Sequence, residues 1–366
     1  MNIFDTSGEW NDWKWQLKNS ISSKENLEQY LSLTPEEIEA FKIPNTLSFS
    51  ITPYLLNQIM KYKSNNPLRK QFIPSVYKKD FHFYNADYLQ EELYEKANNL
   101  IHKYYDRVAL IATNYCAAYC RHCTRRRIVS QFPKNHSLSN ALEYISNTPE
   151  ISDVLITGGD PLILPDLELK KLLEKISTIS HVKMIRIGTR VPITLPMRIT
   201  ENLINILKNY KSLYMNIHIN HPIEITKEVQ IAVSKIADAG IPLGSQSVLL
   251  RGINDSITIL EKLFKQLLYL RIKPYYIYQC DKMPGCEAFW VSPVSGIKII
   301  NSLNGKLSGM AVPKYVIDTP GNWGKQIVAP CNLVNVNSDS LLLKNYKAEY
   351  TKYEYLCKKD IGEQME

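Results

Sequence analysis

Three cysteines and four arginines lie close together in NYCAAYCRHCTRRR, residues 114–127. Cys116, Cys120 and Cys123 have the spacing C-x3-C-x2-C. Structural zinc usually takes four ligands arranged as two pairs, and no second pair lies nearby, although His122 could complete such a site. Three thiolates can instead bind three irons of a [4Fe–4S] cluster and leave the fourth iron open to a further ligand. The thiols therefore indicate a metal site, and their number favours the cluster.

From Arg107 onward, short apolar stretches rich in β-branched residues alternate with amphipathic helix patterns. The predicted strands are RVALIATNY, DVLITGGD, VKMIRIGTR, LYMNIHINH, IPLGSQSVLL and IKPYYIYQC. Six strands each followed by a helix predict an α/β fold with a parallel sheet, and the repetition favours a partial (β/α)6 TIM-like barrel. Such barrels place their chemistry on the loops after the strands, which is where the cysteines, GGD, GTR, HINH and CDK fall.

The segments before and after this region have different sequence patterns. Residues 9–63 are predicted to be helical, with Thr34 as an N-cap and Glu37 three residues later. After the sixth strand, KYVIDTPGNWGKQIVAP and SLLLKNYKAEYTKYEYL predict further strands and turns in a small C-terminal appendage. We therefore divide the chain into a helical N-terminal region (1–100), a barrel (101–310) and a C-terminal segment (311–366).

Composition narrows the class of protein. The chain has 366 residues, of which 45% are hydrophobic and 22% charged, as in a globular protein. It has neither an apolar signal core nor a run of about 18 apolar residues, so we expect a cytoplasmic protein without a membrane partner. The net charge of +8 is spread along the chain, so no nucleic-acid partner is expected, while anionic small molecules stay open. The remaining cysteines, Cys280, Cys286, Cys331 and Cys357, are interpreted as structural.

The run CAAYCRHCTRRR resembles the lysine 2,3-aminomutase family of radical S-adenosylmethionine enzymes. Agreement extends over nearly the whole chain, through WNDWKWQLKN, TPEISDVLITGGDPL, GIPLGSQSVLLRGIND, KPYYIYQCD, YVIDTPGNWGK and LLLKNY. The resemblance implies a [4Fe–4S] cluster, S-adenosylmethionine and pyridoxal 5′-phosphate as cofactors. It also implies that GGD, which is Gly158, Gly159 and Asp160, approaches the methionyl end of S-adenosylmethionine, and that His218 and Gln246 contact the same cofactor.

Lys325 matches the lysine to which the family attaches pyridoxal phosphate. A lysine in this role must be kept from water, and burial is expected to lower its pKa. The cofactor-binding residues that match the family's phosphate segment are Lys103, Tyr104 and Arg107. The family carries four glycines before the lysine, whereas this chain has Gly321, Asn322, Trp323 and Gly324. Trp323 must therefore point outward or reshape the pocket, which leaves the substrate in question.

The same resemblance assigns the substrate contacts. Arg125 matches the residue that binds the substrate α-carboxylate, while Arg126 and Arg127 are assigned to shaping the loop. Asp281 and Asp318 match two carboxylates that receive a cationic side chain. The implied reaction is migration of the amino group from carbon 2 to carbon 3 of L-lysine, which gives β-lysine.

Three alternatives stay open at this point. One is arginine 2,3-aminomutase or another enzyme with both cofactors acting on a cationic amino acid. Another is a radical enzyme that ends in dehydrogenation or a different outcome, and a remote one is a non-catalytic metal-binding or RNA-associated module. An electron donor such as flavodoxin or ferredoxin and a homo-oligomer are expected. No zinc is expected, because the family's barrel cysteine is Ser256 here and its cysteine-rich extension is not matched.

Overall fold

The computed structural model describes residues 8–43, 47–62, 66–76, 83, 85–129, 137–337, 339–345 and 347–354. Its main feature is a ten-stranded sheet in which the strands follow one another in chain order. The strands are β1 (Glu95–Ala97), β2 (Leu100–Tyr104), β3 (Arg107–Thr113), β4 (Asp153–Gly158), β5 (Met184–Thr189), β6 (Leu213–His218), β7 (Leu243–Leu249), β8 (Ile272–Gln279), β9 (Lys314–Thr319) and β10 (Gly324–Ala329). Every neighbouring pair from β3 to β9 is parallel, and the pairs at both ends are antiparallel.

The six predicted strands correspond to β3–β8, and the α/β class with a mainly parallel sheet is confirmed. The five N-terminal helices are α1 (Trp13–Lys18), α2 (Lys24–Glu28), α3 (Pro35–Lys42), α4 (Pro53–Met60) and α5 (Pro67–Phe72). Those between and after the parallel strands are α6 (Ser139–Ser146), α7 (Asp166–Ser177), α8 (Val191–Thr194), α9 (Glu201–Leu207), α10 (Lys227–Asp238), α11 (Ile257–Tyr269) and α12 (Pro293–Leu303). Aliphatic side chains of strands and helices bury each other in one large core, which keeps the sheet rigid beneath the loops.

The N-terminal helices pack on the cysteine-bearing loop after β3. The predicted helix start is confirmed, since the Thr34 hydroxyl and the Glu37 carboxylate form a capping box at α3. A second apolar cluster joins α2, α4 and α5 to Ala118 between the first two cysteines. Arg121 adds a hydrogen bond from Nη2 to the carbonyl oxygen of Leu47, 2.9 Å away. The N-terminal region therefore holds the loop from its outer side.

The strands predicted after the sixth strand–helix unit are present, but two of them belong to the main sheet and not to a separate appendage. Because β9 pairs in parallel with β8 and β10 pairs with β9, they continue the main sheet. A separate three-stranded antiparallel sheet follows, made of β11 (Leu333–Val336), β12 (Ser340–Lys344) and β13 (Tyr350–Glu354). At the other end, β1 and β2 form a hairpin at the end of the region expected to be helical. Cys357, interpreted as structural, lies outside the described residues.

No helix among the residues described has the length and apolar character needed to cross a membrane.

Candidate functional site

A cavity of about 940 Å³ lies against one face of the main sheet. Residues of every strand from β2 to β10 line it, together with the loops that follow the parallel strands. The lining includes every residue for which the sequence predicted a site role: Lys103, Tyr104, Arg107, Cys116, Cys120, Cys123, Arg125, Gly158, Gly159, Asp160, His218, Gln246, Asp281, Asp318 and Lys325. The fold therefore brings residues from both ends of the chain into one space.

The three thiols reach the cavity from the loop after β3. Burial, together with the nearby Asp160 carboxyl and the other two thiols, raises the pKa of Cys116 well above its usual value. Burial and the Cys120 thiol raise the pKa of Cys123 to about 12. Bound metal would have to displace these protons, as is usual for cysteine ligands.

The donor set fits a cluster better than one ion. In the described part of the chain, no group of three or more histidine, cysteine, aspartate or glutamate side chains could hold a single metal ion. In an iron–sulfur cluster each iron takes its own thiolate, so the three sulfurs need not converge on one point. All three thiols border the same cavity, which provides the space.

Arg190 contacts one of these thiols, a contact that the sequence did not predict. Its Nη1 lies 2.8 Å from Cys120 Sγ, and its Nη2 donates to Gln71 Oε1 at 2.6 Å and Glu224 Oε2 at 2.9 Å. Arg190 is buried, so these bonds form in a medium of low dielectric constant. The only signal in the sequence was the position of GTR after a strand, which does not indicate a partner.

The two glycines of GGD allow β4 to approach the start of the cysteine loop. Gly158 has φ +121°, and a Cβ there would lie 2.4 Å from the Thr113 carbonyl oxygen. A Cβ on Gly159 would lie 2.1 Å from the carbonyl oxygen of Tyr115. Any side chain at either position would therefore push the loop that carries Cys116 out of place.

Both carboxylate oxygens of Asp160 are already bonded to the chain. They accept hydrogen bonds from the Thr189 hydroxyl at 2.7 Å and from the backbone N–H groups of Arg190, Val191 and Leu162 at 2.6, 3.0 and 3.1 Å. Burial raises the pKa of this carboxyl to about 6, although all four donors oppose the rise. Asp160 thus holds the β5–α8 turn beside the cysteine loop, and its contact with a cofactor ammonium group stays a prediction.

His218 and Gln246 face the cavity from adjacent strands, where they are register partners. Burial, with the charges of Arg190 and Arg125, lowers the pKa of His218 to about 4, so its ring is neutral at pH 7. Gln246 Nε2 lies 3.3 Å from the Tyr278 hydroxyl. The neutral imidazole and the amide oxygen can accept hydrogen bonds from a ligand.

Lys325 projects into the cavity beside Asp318, its register partner across β9 and β10. Its Nζ lies 2.7 Å from Asp318 Oδ2, and its backbone N–H donates to the Tyr104 hydroxyl at 3.1 Å. Burial alone would lower the pKa of Lys325, but the charge and hydrogen bond of Asp318 outweigh it, so the pKa is raised. The expectation of a lowered pKa is wrong, because the sequence did not reveal this ion pair.

The segment before Lys325 resolves the question raised by its altered glycines. Trp323 is 78% exposed, so its ring points to solvent, and it is not among the residues that line the cavity. Asn322 accepts a hydrogen bond from the Tyr94 hydroxyl. Gly324 has φ +61°, and a Cβ there would lie 2.9 Å from the Tyr104 hydroxyl. Both glycines that this chain keeps are thus favoured by a left-handed backbone, since Gly321 has φ +65°, and at Gly324 Tyr104 also occupies the space beside it.

Lys103 and Arg107 place positive charge on the same side of the cavity. Lys103 Nζ donates to the carbonyl oxygen of Thr319 at 3.1 Å, and burial lowers its pKa. The Arg107 guanidinium lies 4.0 Å from the centre of the Tyr104 ring and pairs with Asp106 at 2.7 Å. Two cationic side chains on the adjacent strands β2 and β3 suit an anionic group such as a phosphate.

The two predicted substrate-binding aspartates lie close enough for the charge of Asp318 to act on Asp281. Burial and the charge of Asp318 raise the pKa of Asp281 well above its usual value. The Asp281 side chain makes no hydrogen bond or ion pair with the described residues, whereas Asp318 is paired with Lys325. Tyr88 lies near both, since its pKa is raised by burial and then by their two charges. This region is therefore suited to a cation.

Arg125 is held by a residue that the sequence did not single out. Its Nη2 and Nε donate to Glu91 at 2.9 and 3.3 Å, and its Nη1 donates to the Thr157 hydroxyl at 3.0 Å. Arg126 donates to the carbonyl oxygens of Pro284 and Arg121, in agreement with a loop-shaping role.

The family model described as Radical SAM superfamily matches residues 110–263, and the one described as Lysine-2,3-aminomutase matches residues 300–360. The L-lysine 2,3-aminomutase of Acetoanaerobium sticklandii is 44% identical, over 94% of this chain and 85% of its own. The chain belongs to the lysine 2,3-aminomutase family. Its relatives also include the L-lysine 2,3-aminomutase of Methanococcus maripaludis, 44% identical over 95% and 82% of the two chains, and the glutamate 2,3-aminomutase of Clostridioides difficile, 38% identical over 95% and 84%.

Membership of the lysine 2,3-aminomutase family makes the chain a radical S-adenosylmethionine enzyme, which implies a [4Fe–4S] cluster and S-adenosylmethionine. The first matched region contains the three thiols, GGD, His218 and Gln246. The second contains Asp318 and Lys325. The two matched regions therefore meet at the cavity.

The ion pair between Lys325 and Asp318 predicts how the attachment of pyridoxal phosphate to Lys325 depends on pH. Condensation of an amine with an aldehyde requires the neutral amine, and Asp318 raises the pKa of Lys325. Asp318→Asn should therefore lower this pKa and shift the pH profile of pyridoxal phosphate attachment toward lower pH. Borohydride trapping followed by mass spectrometry, over a pH series, measures the attachment. Asp238→Asn, at an exposed ion pair with Arg271, is the control, and an unshifted profile for Asp318→Asn would show that the pair is unimportant.

Proposed function

We propose that this chain is a radical S-adenosylmethionine and pyridoxal phosphate-dependent aminomutase that converts L-lysine to β-lysine. The observation that carries the proposal is the convergence, in one cavity, of three thiols, Lys325 and the two carboxyl groups of Asp281 and Asp318. When bound, the cluster with S-adenosylmethionine would supply a carbon-based radical, and pyridoxal phosphate would supply a conjugated aldehyde that holds the migrating nitrogen.

The chain's own contribution is to bind and align the substrate. Arg125 would bind the α-carboxylate through its guanidinium, a planar group suited to two parallel hydrogen bonds. Asp281 and Asp318 would bind the side-chain ammonium group. Two fixed ends of opposite charge orient a lysine molecule along the cavity and hold its carbons 2 and 3 in one place.

The same residues would hold the cofactors. Cys116, Cys120 and Cys123 would bind three irons, and the neutral His218 and Gln246 would accept hydrogen bonds from S-adenosylmethionine. Lys325 would join pyridoxal phosphate, with the phosphate near Lys103, Tyr104 and Arg107. Tyr278, whose ring lines the cavity, would help to exclude water from the reacting centre, where a radical would otherwise be lost.

The finer architecture belongs to the same proposal. The parallel strands would curve into a partial (β/α)6 TIM-like barrel, an arrangement supported by a cavity that touches every strand from β2 to β10. Residues 1–100 would act as the helical N-terminal region, 101–310 as the barrel, and 311–366 as the segment that carries the cofactor lysine. Active sites of barrels lie at the carboxyl ends of their strands, where the cysteine loop and GGD follow β3 and β4.

We also propose an electron donor, a cell compartment and an oligomeric state for the enzyme. The cluster needs one electron from a donor such as flavodoxin or ferredoxin, and a reducing cytoplasm suits both the donor and the thiols. A homo-oligomer is expected from the family resemblance, and neither zinc nor a nucleic-acid or membrane partner is part of the proposal.

Arginine is the alternative substrate that an observation supports, because a guanidinium can also bridge two carboxylates. An acidic substrate would meet unfavourable charge at Asp281 and Asp318, even though one relative is named a glutamate 2,3-aminomutase.

Anaerobic incubation of the reconstituted protein with both cofactors and dithionite tests the proposal. L-lysine, L-arginine and L-glutamate are supplied separately, and products are analysed by mass spectrometry and NMR. Formation of β-lysine and of no other isomer supports the proposal. Formation of a β-amino isomer of arginine would instead make arginine the substrate. Release of 5′-deoxyadenosine without any isomer would exclude the mutase, and neither product from an intact cluster would exclude the radical enzyme.

Asp281→Asn should weaken selection for the substrate's charge. Removing one of two carboxylates around a buried ammonium group costs about 2 kcal/mol or more, which is roughly thirtyfold in affinity. Isothermal titration of the unreduced holoenzyme with L-lysine and with the neutral isostere L-norleucine measures this effect. Lysine should lose affinity while norleucine does not, and the exposed Asp255→Asn variant should behave like the wild type. An unchanged preference for lysine would remove Asp281 from the substrate site.

A further inference from the structure

Glu91 and Arg125 form a two-point ion pair at the wall of the cavity. Glu91 Oε1 lies 2.9 Å from Arg125 Nη2, and Glu91 Oε2 lies 3.3 Å from Arg125 Nε. Their side chains are only 13% and 20% exposed. Burial would raise the pKa of Glu91, but Arg125 outweighs it and the net pKa is lowered, so the carboxylate stays ionised. The pair is therefore a fixed part of the cavity wall.

The contacts of Arg125 use some of its donors and leave others. A guanidinium has two edges that can each bind a carboxylate, one formed by Nε with one Nη and the other formed by both Nη atoms. Glu91 occupies the first edge, and the Thr157 hydroxyl takes one hydrogen of Nη1 at 3.0 Å. These three hydrogen bonds leave one hydrogen unused on each Nη, so the guanidinium can still donate to a second carboxylate while Glu91 stays bound.

Glu91 is itself held in position by the chain. The carboxylate of Asp87 accepts hydrogen bonds from the backbone N–H groups of Glu91 and Glu92, both at 3.1 Å. Arg127 lies 3.0 Å from Asp87 and 3.6 Å from Glu91. These contacts tie the segment that precedes β1 to the loop that carries the thiols. The orientation of Arg125 is thus set by two rigid neighbours, Glu91 on the N-terminal side and Thr157 on β4.

We infer that Glu91 is a positioning residue that fixes the plane of Arg125, so that the outer guanidinium edge faces the cavity and binds the substrate carboxylate. This inference rests on the proposed function, in which an amino acid binds with its carboxylate at Arg125. Glu91 itself touches neither the substrate nor the reacting atoms. Its effect is to prevent rotation of the guanidinium, which lowers the entropy lost when the carboxylate binds.

Ligand pairs that differ only in the carboxylate test this role. Unreduced holoenzyme is titrated calorimetrically with L-lysine and with 1,5-diaminopentane, which is lysine without its carboxylate. In Glu91→Gln the affinity for lysine should fall by at least about tenfold, the size of one charge-assisted hydrogen bond, while that for diaminopentane stays unchanged. Glu91→Asp should retain part of the preference. Glu92→Gln, whose side chain is 68% exposed, is the matched control, and iron content verifies that the site is intact.

The outcomes separate the inference from the function on which it rests. If the wild type binds lysine no better than diaminopentane, the proposed carboxylate contact of Arg125 fails. If the wild type prefers lysine and Glu91→Gln keeps that preference, the positioning role of Glu91 is refuted. Tighter binding of lysine by Glu91→Gln would also refute it, since Glu91 would then be a competitor of the substrate. Equal weakening of both ligands would show a structural role only.

Discussion

Alanine at Cys116, Cys120 or Cys123 is expected to remove the cluster and with it all radical chemistry. Each thiol would bind one iron, and the loop offers three thiols at the cavity, so a single loss leaves one iron without a protein ligand. Iron content should fall from about four atoms per chain toward zero after anaerobic reconstitution. Release of 5′-deoxyadenosine from S-adenosylmethionine should fall to background. Iron and sulfide analysis with low-temperature electron paramagnetic resonance measures the first effect.

Cys331→Ala is the matched control for this series, because Cys331 is exposed and follows β10 in the sequence, far from the three thiols along the chain. It should keep full iron content and full cleavage of S-adenosylmethionine. A variant at Cys116, Cys120 or Cys123 that assembled a complete cluster and cleaved the cofactor would overturn the assignment of the thiols.

Lys325→Ala is expected to abolish amino migration while the cluster remains. The substitution removes the only amine that the proposal joins to pyridoxal phosphate, so turnover should fall by at least about a thousandfold, as for loss of a covalent nucleophile. Borohydride should trap no cofactor on the chain, as measured by peptide mass spectrometry. Iron content should match the wild type, because the thiols lie on the loop after β3 and Lys325 lies on β10.

Two further variants separate attachment from charge. Lys325→Arg keeps a cation for Asp318, so it should preserve the charge balance of the cavity and still fail to trap the cofactor. Lys314→Ala, at an exposed position at the start of β9, should trap cofactor normally. Full turnover of Lys325→Ala, or trapping at another lysine, would contradict the role of Lys325.

The fold was predictable where local pattern and global structure agree. Strands β3–β8 are apolar stretches rich in β-branched residues, and amphipathic helices follow them. Both patterns depend on residues close together in the chain. The continuation of the sheet into β9 and β10 was not predictable. A short apolar strand has the same pattern in an appendage as in a large sheet, and its neighbour is chosen by packing over long distances.

The candidate site shows the same division. Residue types and spacing identified the thiols, the family resemblance identified Lys325 and the two aspartates, and all of them line the cavity. The side-chain contacts of the site were not predicted. Glu91 contacts Arg125, and Arg190 contacts Cys120, only after distant segments of the chain pack together. The raised pKa of Lys325 was missed for the same reason, because it depends on the register between β9 and β10.

The position of Lys325 on the last strand of the ten-stranded sheet also bears on biosynthesis. The ribosome releases the three thiols early and the lysine late, after all seven parallel strands have been made. A nascent chain can therefore present metal ligands before it has the edge strand that carries Lys325. Under the proposed function, Lys325 reaches its place in the cavity only when β10 pairs with β9, so the site for the second cofactor is completed after the three thiols have been made.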